Sequence, residues 1–373
     1  MERKFNNKRI DKIPEKYLFL WDFLFQQKGE DMKRMIKEKI EEMRPHAFEK
    51  KVLEREKAKG VPNVDLFYQK TTSEVEDINL AVIRRDMKRK GEDITTAEIE
   101  EIGKIVKVKD HMIPVSIYKR KDTKEKANAV LFLHGGGFIG GDVATKENQC
   151  KYLAEQSGAV VVSPEYRLAP ETPYPGAIED VMGTLEWMVE YAECLGIHKD
   201  KIAILGESAG GTLAANCCLR DQKGSIKLAL YIYGAFDLAA AEETDYHWDY
   251  SLYDMVDDQE QKDYIMNRLF RFKELTTSVD ALYVLDGTSI KDEGVSPFYA
   301  KDLSHMPKTV MIEAEFDYYR ICNEEFAKRL EAAGVDTEII FYEGLDHGFF
   351  DRLGSLPQTA DCIDELAKRI KEM

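Results

Sequence analysis

Gly206-Glu207-Ser208-Ala209-Gly210 is the stretch on which the fold turns. It follows the apolar run Lys201-Ile202-Ala203-Ile204-Leu205 and precedes Gly211-Thr212-Leu213-Ala214-Ala215-Asn216-Cys217-Cys218-Leu219, rich in small and helix-forming residues. An apolar run, a G-x-S-x-G turn and a helix in immediate succession are the pattern of a nucleophile elbow. The flanking glycines fit because a Cβ at either position would collide with the neighbouring strand or helix. Such a turn strains the backbone at Ser208 and lifts its hydroxyl clear of the sheet edge. The competing reading is a tight strand-to-helix turn whose serine merely caps the helix. The five residues alone do not separate the two, so the rest of the chain must.

Upstream, the buried-strand pattern Ala129-Val130-Leu131-Phe132-Leu133 runs into His134-Gly135-Gly136-Gly137-Phe138. Successive glycines expose backbone N–H groups that no side chain shields. Such a loop can aim two N–H donors at a developing oxyanion, and the Ala209 N–H can add a third. A phosphate-cradling P-loop is excluded because no Gly-Lys-Ser/Thr follows. A dinucleotide fingerprint fits poorly: 135–140 satisfies G-x-G-x-x-G, but no acidic residue closes a second strand at the required spacing, and Glu165 lies too far on.

A nucleophilic serine needs a base, and the base an orienting acid. Of the seven histidines, His347 sits in the loop after the last strand pattern, Thr337–Tyr342, the place of the base in a serine-hydrolase sheet. For the acid, Thr309–Ala314 reads as a strand with Glu315-Phe316-Asp317 at its carboxyl end, where the active groups of open α/β sheets gather. Asp317 gives the chain order Ser208, Asp317, His347. Glu315 and Asp346 are rivals; Asp346 adjoins His347 in sequence, which makes a good bond to its ring awkward. Asp317 could instead serve as the N-cap of the next helix.

These motifs, with Tyr166-Arg167-Leu168-Ala169-Pro170-Glu171, Pro173-Tyr174-Pro175-Gly176-Ala177 and Asp180 between them, resemble the hormone-sensitive lipase family of serine esterases. The resemblance spans roughly 103–372. It implies an α/β-hydrolase fold, catalytic Ser208, Asp317 and His347, oxyanion donors from Gly136, Gly137 and Ala209, and N-terminal helices forming a cap over the active site. The chain departs from the family at three places. Glu207 stands where Asp usually precedes the serine, Tyr318-Tyr319 replaces the Pro-Leu that usually follows the acid, and Glu165 replaces the Asp before Tyr-Arg.

Composition is compatible. The chain has 373 residues, 44% hydrophobic, enough for a hydrolase domain with a sizeable core and an extension. A net charge of −16 disfavours nucleic acid and anionic membrane surfaces. The cysteines (Cys150, Cys194, Cys217, Cys218, Cys322, Cys362) lack metal-type spacing and read as reduced thiols. No signal-peptide pattern opens the chain and no apolar run is long enough to span a bilayer, so a cytoplasmic protein without stable membrane insertion is expected. No metal or organic cofactor is expected.

Alternating apolar runs and helical patterns predict a mostly parallel sheet with helices on both faces, edged by a hairpin at 105–118. The expected division is a helical extension over 1–102 and a catalytic domain over 103–373, with 235–300 a second cap segment whose tyrosines line the pocket. The extension's most apolar piece is Tyr17–Phe25, and 31–59 and 73–90 read as charged helices. Tyr17–Phe25 would contribute to a cap, an oligomer contact or a membrane interface, so a homo-oligomer stays open. The function implied is hydrolysis of small, short-acyl esters. The alternatives are a deacetylase of a sugar or other natural ester, and a ligand-binding protein on a hydrolase fold that has lost its chemistry.

Overall fold

In the computed structural model, described over residues 32–67, 79–123, 125–285 and 287–373, Arg34–Met373 forms a single unit. Its strands are β1 (Lys33–Lys37), β2 (Ile99–Val108), β3 (His111–Arg120), β4 (Ala127–Leu133), β5 (Val160–Pro164), β6 (Ile197–Glu207), β7 (Ile226–Ile232), β8 (Lys308–Phe316) and β9 (Thr337–Asp346). The helices are α1 (Lys50–Ala58), α2 (Leu80–Asp86), α3 (Val143–Ser157), α4 (Gly176–Glu190), α5 (Ala192–Leu195), α6 (Ala209–Arg220), α7 (Gln259–Tyr283), α8 (Arg320–Ala332) and α9 (Pro357–Lys371).

The strands form one sheet in the order β1-β9-β8-β7-β6-β4-β5-β3-β2. From β4 and β5 through β9 the pairing is parallel, and the β2–β3 hairpin closes one side antiparallel. The central strands are apolar throughout because helices cover both faces: Val130, Leu131, Ile204, Leu205, Leu230 and Ile312 are fully buried. This is the mostly parallel sheet with helices on both faces that the alternation predicts, and the α/β-hydrolase arrangement that the resemblance implies, with the carboxyl ends of β4, β6, β8 and β9 gathered on one side.

The N-terminal half-turns differ from the sequence reading. The stretch 31–59 is not one helix: Lys33–Lys37 is an edge strand and only Lys50–Ala58 is helical. Basic side chains are compatible with either state, and long-range partners decide. Lys37 reaches Asp361 and Glu365 of α9, and the Arg34 guanidinium lies 4.4 Å over the Phe341 ring. Buried Glu49 then gathers the loop before α1, accepting from Ile40 N (2.6 Å) and from Gln358 Nε2 (3.0 Å). The boundary drawn between 102 and 103 falls inside β2, which opens at Ile99. The aromatic run Tyr17–Phe25 and residues 73–78 of the second charged stretch lie outside the described residues.

The insertion between β7 and β8 holds the long helix α7, which the sequence reading did not foresee. Its tyrosines do not line the cavity at Ser208 as expected. Tyr250, Tyr253 and Trp248 form a buried aromatic cluster with Tyr318. Their hydroxyl and indole groups have backbone carbonyls to satisfy within that cluster, which holds them away from the cavity.

Candidate active site

Ser208 lies between the last residue of β6 and the first of α6, with φ 55 and ψ −118. That left-handed conformation is unfavourable for a residue with a Cβ and persists only where the surroundings over-determine it. They do so here through main-chain bonds: Ser208 N donates to Ile232 O (2.9 Å), and Ser208 O accepts from Gly211 N (2.8 Å), Ala235 N (3.2 Å) and Thr212 N (3.4 Å). A Cβ at Gly206 would run into the Gly210 carbonyl, and one at Gly210 into the Leu133 carbonyl. The Ser208 side chain makes no capping bond to α6, against the helix-cap reading.

The Ser208 hydroxyl lies instead 2.8 Å from His347 Nε2, and His347 Nδ1 lies 2.7 Å from Asp317 Oδ2. His347 follows the last residue of β9, and Asp317 the last of β8. Tyr233, Phe272 and Tyr319 surround the imidazole with centroids at 4.4, 4.3 and 5.5 Å, and all three groups of the relay are buried. Asp317 is not the N-cap of α8, a position Tyr319 holds without a side-chain capping bond; its Oδ1 accepts from Tyr319 N (2.8 Å) in the turn before the helix, leaving Oδ2 for the imidazole. Tyr253 OH donates to Asp317 O (2.8 Å), so the aromatic cluster of the insertion braces the acid rather than the substrate.

The rival acids are engaged elsewhere. Glu315 pairs with His46 Nδ1 (2.8 Å) and accepts from Gly344 N (2.7 Å). Asp346 is ringed by Arg55, Arg268 and Arg352. Burial alone would raise its pKa, but these guanidiniums hold it well below the usual carboxylate range.

Behind the serine lies a buried charge network that accounts for the unusual Glu207. Lys146 of α3, itself almost fully buried, reaches Glu207 Oε2 (2.6 Å) and Asp351. Burial pushes the Glu207 carboxyl upward, yet Lys146 and the Tyr233 hydroxyl (2.8 Å) keep it ionised below its ordinary value. Glu207 Oε2 also accepts from Gly135 N (3.1 Å), which ties the elbow to the glycine loop. That loop is further fixed by His134, whose ring stacks on Tyr166 at 4.2 Å and is kept neutral by burial, its pKa pushed down to about 4. Gly136 adopts φ 133, and the N–H groups of Gly136, Gly137 and Ala209 have no protein acceptor among the described residues. Arg84 of α2 clasps the loop from outside, donating to Ile139 O (2.6 Å) and Ala169 O (2.9 Å) and pairing with Glu171.

A cavity of about 330 Å³ opens at these groups, lined on one side by Gly135–Gly137, Lys146, Glu207, Ser208 and His347. The other side comes from outside the alternating core: Arg55, Val82, Ile83, Met87, Arg89, and, from α7, Arg268, Arg271, Phe272 and Leu275. Sequence reasoning missed Arg84, Lys146 and the α7 residues. The one available signal was Glu207: a carboxylate beside a buried serine demands a buried cation, but nothing in the sequence says which.

Comparison with known proteins agrees with this fold. Residues 130–351 match the family model described as alpha/beta hydrolase fold. An arylesterase of Saccharolobus solfataricus is 31% identical over 273 residues, 71% of this chain and 82% of that protein. An ethyl acetate hydrolase of Pseudomonas putida is 29% identical over 257 residues, 67% of this chain and 75% of that protein. The solved structure of a hyperthermophilic esterase from Pyrobaculum calidifontis superposes with a TM-score of 0.68 at 26% identity, covering 88% of this chain and 99% of that one. The chain belongs to the α/β-hydrolase family, as a carboxylic ester hydrolase of the hormone-sensitive lipase type. Among the described residues, no helix is long and apolar enough to cross a membrane.

Proposed function

We propose that the chain hydrolyses small, short-acyl carboxylic esters through an acyl-enzyme on Ser208. The observation that carries this reading is the continuous relay from the Ser208 hydroxyl through His347 to Asp317 at the floor of the cavity. His347 Nε2 takes the hydroxyl proton as Ser208 Oγ bonds to the ester carbonyl carbon. The carbonyl oxygen, now negative, meets the free N–H groups of Gly136, Gly137 and Ala209. The C–O bond to the alcohol breaks, and the alcohol leaves with the proton held by His347. A water molecule then gives a proton to His347, its oxygen attacks the acyl carbon, and the acid is released as Ser208 recovers its proton. Asp317 orients the imidazole and stabilises its cationic form without taking the proton.

The short-acyl preference is supported by the bulky side chains around the nucleophile, Phe272 and Tyr319 standing against the imidazole and Leu275 lining the same cavity of about 330 Å³. In this reading α1, α2 and α7 act as the cap. The test is a series of p-nitrophenyl esters from acetate to palmitate with wild type and Ser208→Ala. Hydrolysis peaking at short chains, and a loss of about 10⁴-fold or more in the variant, is the expected result. Full activity in Ser208→Ala, or no ester hydrolysed by wild type, refutes it.

A further inference from the structure

The cap side of the cavity is basic, in a chain whose net charge is −16. Arg55 from α1, Arg89 from the segment after α2, and Arg268 and Arg271 from α7 all line it. These arginines fall into two groups. Arg55 and Arg268 are spoken for: Arg55 reaches Glu56 (2.5 Å) and Asp346, and Arg268 reaches Asp346 Oδ2 (2.6 Å) and His347 O (2.6 Å). Arg352 and Lys59 share the same two carboxylates, so four cations compete for Glu56 and Asp346.

Arg89 and Arg271 are different. Among the described residues, neither side chain has a carboxylate or hydrogen-bond partner. The acids that also line the cavity do not balance them: Glu207 and Asp351 belong to Lys146, and Asp86 pairs with Arg85. Burial, and then Arg268, Arg55 and Arg89, outweigh the attraction of the Glu56 carboxylate and depress the Arg271 guanidinium below its ordinary value. The Arg89 and Arg271 side chains are both exposed along the cavity wall, where solvent screens them in part; gathering like charges on a concave surface is still unfavourable, and a folded chain ordinarily answers it with a carboxylate. Here the answering charge is missing from the protein beside a serine poised for acyl transfer. An anion entering this cleft gains from every arginine along the wall and relieves their mutual repulsion. A guanidinium fork is also suited to hold a carboxylate by paired hydrogen bonds.

Building on the esterase reading above, we infer that the substrate carries an anionic group, a carboxylate, bound by Arg271 and Arg89 while its ester carbonyl meets Ser208. The feature would distinguish this enzyme from one that takes neutral esters alone. It also gives the charged cap a purpose that shielding the site from water does not require.

Matched ester pairs test it from both ends of the substrate. On the acyl side, mono-4-nitrophenyl glutarate is compared with 4-nitrophenyl pentanoate. On the alcohol side, 4-acetoxybenzoate is compared with its methyl ester. For each pair the ratio of kcat/KM, anionic over neutral, is divided by the same ratio for alkaline hydrolysis. Wild type is expected to favour the anionic member of one pair by about tenfold or more at low salt, the preference shrinking as salt rises. Arg271→Gln and Arg89→Gln are each expected to cut that preference severalfold, mainly through KM, and Arg271→Lys to retain part of it. Thermal melts show that each variant is folded. If wild type hydrolyses the neutral esters but prefers neither anionic partner, or if the double variant keeps the preference, the inference fails while the esterase reading stands. If no ester is hydrolysed and a fluorophosphonate does not label Ser208, both fail together.

Discussion

The floor and the outer wall of the cavity are built by different means. The floor is made of strand ends. Ser208, His347 and Asp317 each directly follow the last residue of a strand, the glycine loop begins just past the end of β4, and their positions follow from parallel pairing plus a few short turns. Its interactions are close hydrogen bonds of fixed geometry, and in its one buried charge network Lys146 stands between two acids, Glu207 and Asp351. The outer wall comes from α1, the segment after α2, and α7, which are far apart in sequence. It is held by charge, and its charge is not matched. The floor is suited to a reaction that varies little from one ester to another, and the wall to choosing which ester arrives. Arg84 and Asp346 are where the two meet, one clasping the glycine loop and the other collecting three arginines beside His347.

The contrast is put under most strain by the two aspartates that flank His347. Asp317→Asn should lower kcat by about 10⁴-fold with the fold intact, because the amide offers the imidazole the wrong partner. Asp346→Asn should act chiefly on stability, since it leaves Arg55, Arg268 and Arg352 without their shared carboxylate. Steady-state kinetics beside urea melts separates the two. Equal losses of kcat in two well-folded variants would mean that the wall takes part in the chemistry and the division is wrong.

Lys146→Met tests the floor by itself. It leaves Glu207 buried without its cation and should cost about 3–5 kcal/mol in urea unfolding. A loss well under 1 kcal/mol would mean that the floor does not depend on its buried lysine.

The smallest effect is expected at Lys59, in the crowded cluster of the wall. Burial, then Arg268 and Arg55, bring its pKa down to about 8. A lysine whose folded pKa is depressed opposes folding while it is charged. That penalty is full below pH 8 and fades as pH climbs from 8 towards the ordinary 10.5. Lys59→Gln should therefore raise the urea midpoint at pH 7 by the equivalent of about half a kcal/mol, after allowance for solvent screening, and the gain should shrink at pH 9.5. A destabilised variant at pH 7 would show that Lys59 is needed to satisfy Glu56, and that the wall is not over-supplied with cations.

Much of the floor was legible in the sequence and little of the wall. The runs 129–133, 201–205, 309–314 and 337–342 lie inside the observed strands, because buried parallel strands are apolar along their whole length. α7 escaped notice because Gln259–Tyr283 mixes charged, polar and aromatic residues without a clean apolar stripe, one part of it facing the cavity and another packing on the body. Lys33–Lys37 reads as part of a charged helix until its acidic partners on α9 are known. The tyrosines of the insertion looked like pocket lining because aromatic residues suit pockets. In the folded chain Tyr253 braces the Asp317 carbonyl instead.

By itself, the sequence determined the strand-turn-helix at Ser208, the glycine loop, the order of the elements and the loop that bears His347. Each depends on sterics and main-chain bonding among residues adjacent in the chain. The tertiary structure alone decided which carboxylate meets the imidazole, which lysine answers Glu207, and that arginines from three separate segments converge on one cavity with too few acids to balance them. Those outcomes rest on electrostatics across space, where the distance between two charges bears no relation to their separation along the chain.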